Sequence, residues 1–135
     1  MSHDFYTKVI GIDFGTKKTG LAVLDRDNTM AWRWKVVNTD DLIKFLLDYS
    51  NNNLGKSLET IVIGCPNNSS NNFKKKIRRL SDEIKNEIPK IKIEFVNEDY
   101  STKFAEEIGG DDATAAVFIL REWLVQQESN QTRVE

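Results

Sequence analysis

Hydrophobic and polar positions alternate with a period of two over the first third of the chain, then recur every three to four residues between short apolar runs. Residues 8–14 alternate and are rich in β-branched side chains, which predicts a strand. Gly15 to Lys18 can turn the chain, and residues 19–26 read as a second strand. Asp25-Arg26-Asp27-Asn28 supplies a second turn, and residues 29–37 a third strand. Connections this short imply an antiparallel meander. Strict alternation along the third strand would put Trp32 and Trp34 on one face and Arg33 and Lys35 on the other. Both tryptophans are expected to serve core or edge-strand packing rather than to stack on bases.

Thr39 or Asp40 is the expected cap of a helix whose stripe is Leu42, Phe45, Leu46 and Tyr49, ending at Asn51-Asn52-Asn53-Leu54-Gly55. Ile61-Val62-Ile63-Gly64 is a continuous apolar run, as a strand buried on both faces requires. After a polar loop, Cys65 to Ser70, a second stripe follows: Phe73, Ile77, Leu80, Ile84 and Ile88, closed by Pro89. Residues 91–96 read as a fifth strand. A short helix is expected after Ser101, broken at Gly109-Gly110. A last helix over 112–127 turns Ala116, Val117, Leu120 and Trp123 or Leu124 inward. Residues 1–7 and 128–135 are expected to be flexible.

The order βββαβαβαα predicts an α/β domain spanning residues 1–135, without internal repeat or linker. Its core is a five-stranded mixed sheet: three antiparallel strands, then two βα units, with helices on both faces. Right-handed crossovers place strands four and five beside strand one. The carboxyl ends of strands one, four and five then share one edge, where open α/β sheets carry their sites.

Composition narrows the class. With 39% hydrophobic and 30% charged residues, the 135-residue chain has the balance of a soluble domain. No apolar stretch approaches the ~18 residues that span a bilayer, and the N-terminus has no secretory signal pattern. Cys65 is the only cysteine, which excludes an intrachain disulfide and fits a cytoplasmic setting. The net charge of −2 does not announce a nucleic-acid binder, but its distribution is uneven. Lys74, Lys75, Lys76, Arg78 and Arg79 fall within six positions, and Lys17 and Lys18 sit beside a glycine-rich turn. A charge run of this kind is equally the solvated face of a helix.

Three acids stand at element ends: Asp13 after the first strand, Glu98 after the fifth, and Asp112 at the start of the last helix. Each has a plainer reading, as a turn residue, a solvent-facing acid and a helix N-terminal acid respectively. Together they would converge on one edge. Carboxylates gathered without bases repel one another unless divalent cations occupy the space between them. Oxygen donors without histidine or cysteine suit Mg²⁺ or Mn²⁺ rather than zinc. Gly15 would let a phosphate come close, or simply make the turn. Asn68 and its neighbours could donate to phosphate oxygens, although a polar loop explains them as well.

Four segments resemble one known family in its own order. Gly11-Ile12-Asp13-Phe14-Gly15-Thr16-Lys17-Lys18-Thr19-Gly20 is similar to the opening motif of the YqgF family of ribonuclease H-like proteins. Members of that family are described as Holliday junction resolvases and as pre-16S ribosomal RNA nucleases. Ile61 to Asn68, Asn97 to Thr102 and Asp112-Ala113-Thr114-Ala115-Ala116 resemble its three later motifs. The resemblance implies a ribonuclease H-like fold and an endonuclease dependent on Mg²⁺ or Mn²⁺ that acts on structured RNA or branched DNA. It implies that Asp13, Glu98 and Asp112 are the catalytic, metal-holding acids, with Asp112 preferred to Asp111 by its spacing to Ala115-Ala116. Gly15, Lys17, Lys18, Asn68, Lys74, Lys75 and Arg78 are then the expected nucleic-acid contacts. Asn97 and Asp99 depart from the family's motif, where an acid and an arginine stand. The charge reversal at Asp99 keeps a second class open, a binding module of the same fold without catalysis. Asp-x-Gly-Thr, as at Asp13 to Thr16, also occurs in the phosphate loop of actin-like ATPases and sugar kinases, but those need two such domains and this chain is too short.

Overall fold

The computed structural model describes residues 7–25, 27–52, 57–97 and 110–133. Five strands form one sheet: β1 (Val9–Asp13), β2 (Lys18–Leu24), β3 (Ala31–Asn38), β4 (Thr60–Cys65) and β5 (Lys92–Asn97), in the order β3-β2-β1-β4-β5. β1 pairs antiparallel with β2 and parallel with β4, and β4 pairs parallel with β5. The carboxyl ends of β1, β4 and β5 therefore point the same way. Among the described residues three α-helices cover the sheet: α1 (Leu42–Asn51), α2 (Asn71–Glu87) and α3 (Asp112–Arg133). The helix expected after Ser101 lies outside the described residues.

Alternation along β1 divides the core in two. Ile10 and Ile12 enter a cluster with Leu42 and Leu46 of α1 and Ile77, Leu80 and Ile84 of α2. Val9, on the other face, joins Ala22, Val62 and Val96 beneath Ala116, Ile119, Leu120 and Trp123 of α3. Gly11 and Asp13 share the parity of Val9, so both face α3. Small residues let that helix come close: a Cβ added at Gly11 would stand 2.5 Å from the Leu120 Cγ. Farther along, the Trp123 ring nitrogen donates to the Glu94 carboxylate of β5 at 3.2 Å. α3 thus crosses the sheet diagonally, from β2 and β3 at its start towards β5.

Four local expectations need correction. Lys35 does not share a face with Arg33. The register of β2 against β3 shifts between Leu21 and Ala22, whose partners are Lys35 and Arg33. This bulge makes Trp34 the extra residue and turns Lys35 to the α1 side, where its ammonium lies 4.8 Å from the Phe45 ring centroid. Trp34 packs on the same side against Phe45 and Tyr49, each ring centroid 5.1 Å away, whereas Trp32 is exposed. Second, neither Thr39 nor Asp40 caps α1. Thr39 to Asp41 form a 3-10 turn ahead of it, with no side-chain cap, because the Thr39 hydroxyl is engaged elsewhere. Third, α3 does not end at 127 but continues to Arg133. Fourth, Thr7 is not a loose terminal residue. It is buried, its hydroxyl donating to the Leu24 carbonyl at 2.7 Å and accepting from the Val9 N–H at 3.1 Å.

The fit of Leu120 over Gly11 gives a direct test. Gly11→Ala should destabilise the protein by about 1–3 kcal/mol, as overpacking does. In a Leu120→Ala background, itself destabilised by about 2–5 kcal/mol, the added methyl should cost much less. Urea unfolding of the four proteins gives the coupling, and additive effects would show that the two residues do not compete for one space.

Candidate active site at the carboxyl edge of the sheet

The site is built from the register of two strands. Asp13 ends β1 and pairs with Gly20 of β2. Residues directly opposite in an antiparallel pair project from the same face. At Gly20 that face is filled by backbone: an added Cβ would overlap the Asp112 carbonyl and the Ala113 nitrogen. The first peptide group of α3 therefore rests on the Gly20 Cα, one strand from Asp13. Only glycine permits this approach, and Asp13 and Asp112 are brought to one edge and one face by it.

Asp111 fixes where α3 begins. Its carboxylate accepts from the Thr114 N–H at 3.1 Å and from the Thr114 hydroxyl at 3.3 Å, the bonds of a helix N-cap. It also accepts both arms of the Arg33 guanidinium, Nε at 3.0 Å and an Nη group. Arg33 stands opposite Ala22 on the α3 face, so the pair ties β3 to the start of the helix. Asp111 is thereby occupied, and Asp112 is the first residue of the helix proper.

The turn between β1 and β2 is braced. The Thr39 hydroxyl donates to the Gly15 carbonyl at 2.6 Å, so the Thr19 hydroxyl, 2.8 Å away, supplies the proton between the two threonines. The Gly15 N–H points back at Thr19 with a long 3.5 Å contact, and the Thr39 N–H donates to the Lys17 carbonyl at 2.9 Å. A Cβ at Gly15 would overlap the Lys18 carbonyl. Lys17 and Lys18 are thus exposed on a held turn at the same edge. Phe14, next to Asp13, packs on the other face against Phe73 of α2, with ring centroids 5.7 Å apart. Ser70 caps α2 by accepting the Phe73 N–H at 3.1 Å. Between Cys65 and Ser70 the chain folds back, the Ser69 hydroxyl donating to the Pro66 carbonyl at 2.8 Å, and Asn68 is exposed.

Of the residues singled out from sequence, Asp13 ends β1, Gly15, Lys17 and Lys18 lie in or beside the turn to β2, Asn68 lies in the loop after β4, and Asp112 starts the helix over Gly20. Lys74, Lys75 and Arg78 are exposed along α2, across the sheet from Asp13. Glu98 and Asp99 lie outside the described residues, which stop at Asn97, the end of β5. Among the described residues, no group of three or more His, Cys, Asp or Glu side chains could hold a metal ion. The described acids on the α3 face of this edge offer only oxygen donors, because Cys65 packs against the α1 and α2 core. Such donors fit Mg²⁺ or Mn²⁺. Sequence reasoning missed Arg33 and Thr19, gave Thr39 a different role as a helix cap, and read Gly20 as a backbone device without its partner. The Asp111-x-x-Thr114 spacing at a helix start was the one available signal, since it marks the cap.

A sheet of order β3-β2-β1-β4-β5, with a helix crossing over β1, is that of a ribonuclease H-like fold. The structure titled "T. thermophilus RuvC in complex with Holliday junction substrate" superimposes with a TM-score of 0.54, covering 84% of this chain and 92% of that one, at 14% identity. Residues 7–126 match the RuvX family, described as Holliday junction resolvase, and the chain belongs to that family. Proteins named "Putative pre-16S rRNA nuclease" are among its relatives. One from Christiangramia forsetii is 29% identical over 88% of this chain and 98% of its own length. Another from Karelsulcia muelleri is 30% identical over 73% and 72%. By family the protein is a phosphodiester hydrolase acting on nucleic acid, and a binding module without catalysis is not favoured. Among the described residues no helix is long and apolar enough to cross a membrane.

The tie at Asp111 predicts a pH dependence. Its carboxyl is held down to about 2, first by the Arg33 hydrogen bond and then by the Thr114 N–H and the Arg33 charge. A carboxyl lowered in the folded state contributes stability that is present above its unfolded value near 4 and is lost as pH falls towards 2. Both partners are about half exposed, so the contribution is small, about 1 kcal/mol or less at ordinary salt. Arg33→Ala should therefore be less stable than wild type at pH 7, with the gap narrowing between pH 4 and 2 in denaturant titrations.

Proposed function

We propose that this chain is an endonuclease dependent on Mg²⁺ or Mn²⁺ that cleaves structured nucleic acid, with Asp13, Glu98 and Asp112 as the acids that hold the metal. The observation that carries the reading is the seat of the Asp112–Ala113 peptide on Gly20, the strand partner of Asp13. Two acids at one edge and on one face form a poor core but a good cation site. A bound divalent pair supplies an activated water and charge stabilisation at the scissile phosphate. The protein's own part is to bind and orient. Lys17 and Lys18 offer cationic contacts beside the acids, and Gly15 keeps the turn slim enough for a phosphate to approach. Asn68 can donate to a backbone oxygen. Lys74, Lys75 and Arg78 are suited to a second segment of a branched or folded substrate, since they lie across the sheet. The names of the family and its relatives nominate four-way DNA junctions and precursor 16S rRNA as the substrates to try first.

Asp13→Asn keeps the shape of the side chain and removes its charge. It should lower cleavage of junction DNA or precursor rRNA by at least a hundredfold while leaving the unfolding curve nearly unchanged. Cleavage by wild type that persists in excess chelator would refute metal dependence. The turn has its own test. Removing one lysine–phosphate contact should reduce the slope of log affinity against log salt by about 0.7–0.9. Lys17→Ala with Lys18→Ala should flatten the slope and weaken binding, and an unchanged slope would remove the turn from the interface.

A further inference from the structure

Asp13 and Asp112 lie at one edge through the pairing of Asp13 with Gly20 and the seat of the Asp112 peptide on that glycine. Asp112 is on the first turn of its helix, the part of any helix with the fewest backbone bonds to hold it. The Gly20 seat permits the close approach, and apolar packing holds the body of α3 to the sheet. At the start of the helix β3 adds a polar tie, where both guanidinium arms reach the carboxylate one residue before Asp112. That contact joins positions 78 apart in sequence, and the same carboxylate caps the helix through Thr114. It is an ion pair that links α3 to the sheet.

We propose that Arg33 and Asp111 are positioning residues: their paired contact holds the first turn of α3 on Gly20 and so sets the affinity of the Asp13–Asp112 edge for divalent metal. This role rests on the metal-site reading above and adds residues that touch neither metal nor substrate. The sign of its effect separates it from charge alone. Removing a cation from the neighbourhood of a metal site should, by Coulomb's law, tighten metal binding, and removing an anion should weaken it. Positioning predicts that both weaken it.

The test is Mn²⁺ binding to the purified full chain by titration calorimetry, with urea unfolding of each variant as the folding control. Arg33→Ala should weaken binding by roughly two- to fivefold, the scale of one tie at a half-exposed site. Asp111→Asn can still accept the Thr114 N–H, so it should fold and show a similar loss. The double variant should lose no more than either single one. Arg33→Lys keeps the charge without the two-armed contact and should recover only part of the affinity. If Arg33→Ala binds Mn²⁺ as tightly as wild type or tighter, the positioning role is overturned. Complete loss in Asp111→Asn would overturn it too, by making Asp111 itself a ligand. Asp13→Asn and Asp112→Asn are run alongside. If they bind Mn²⁺ like wild type, the metal-site reading fails. If they lose binding while Arg33→Ala does not, only the positioning role fails.

Discussion

One steric constraint organises this protein: the first peptide of α3 lies against the Cα of Gly20, and Gly20 is the strand partner of Asp13. Everything that gives the acidic edge its form depends on that approach. The central position of β1 supplies a rigid end for Asp13. The run of small residues, Gly11, Gly20 and Ala22 on the sheet and Ala113 and Ala116 on the helix, lowers α3 onto it. A side chain at position 20 would lift the helix start off the sheet, and Asp112 would leave the neighbourhood of Asp13 with no change to either acid.

The two faces of the sheet have separate duties. The α1 and α2 face carries the larger aliphatic cluster and anchors the turn from behind, through Phe14 against Phe73. The α3 face carries the acids. A substrate strand reaching Asp13 would pass the braced turn at Gly15 to Lys18, where two threonines fix the backbone by a short relay of hydrogen bonds. Fixing the turn limits the entropy that Lys17 and Lys18 would lose on meeting a phosphate. The carboxylate of Asp111, next to Asp112, caps the helix and binds Arg33.

The strand order and the five strands were legible because each depends on local periodicity and on short connections. Ile61-Val62-Ile63 reads as a central strand, and the spacing of Ile77, Leu80 and Ile84 as a helix face, and all six are buried. Asp13 and Asp112 were legible as element-terminal acids. Contacts between segments distant in sequence were not. Nothing local in β3 announces a bulge at Trp34, so strict alternation puts Lys35 on the wrong face. Nothing near Thr39 shows that its hydroxyl serves Gly15 instead of the helix that follows. By alternation alone Arg33 is one more exposed cation on a strand, and only the fold lays the start of α3 beside it. The polar tail past Glu128 suggests fraying, yet the helix runs on to Arg133.

The central claim is that the edge shared by Asp13 and Asp112 is a divalent metal site. Diffraction from crystals grown with Mn²⁺, recorded where manganese scatters anomalously, tests it most directly. A peak at about 2.0–2.2 Å from carboxylate oxygens of both Asp13 and Asp112 is the expected result, close to the distance known for small hard cations on oxygen. A fully occupied Mn²⁺ elsewhere on the molecule, with none between these two acids, would contradict it.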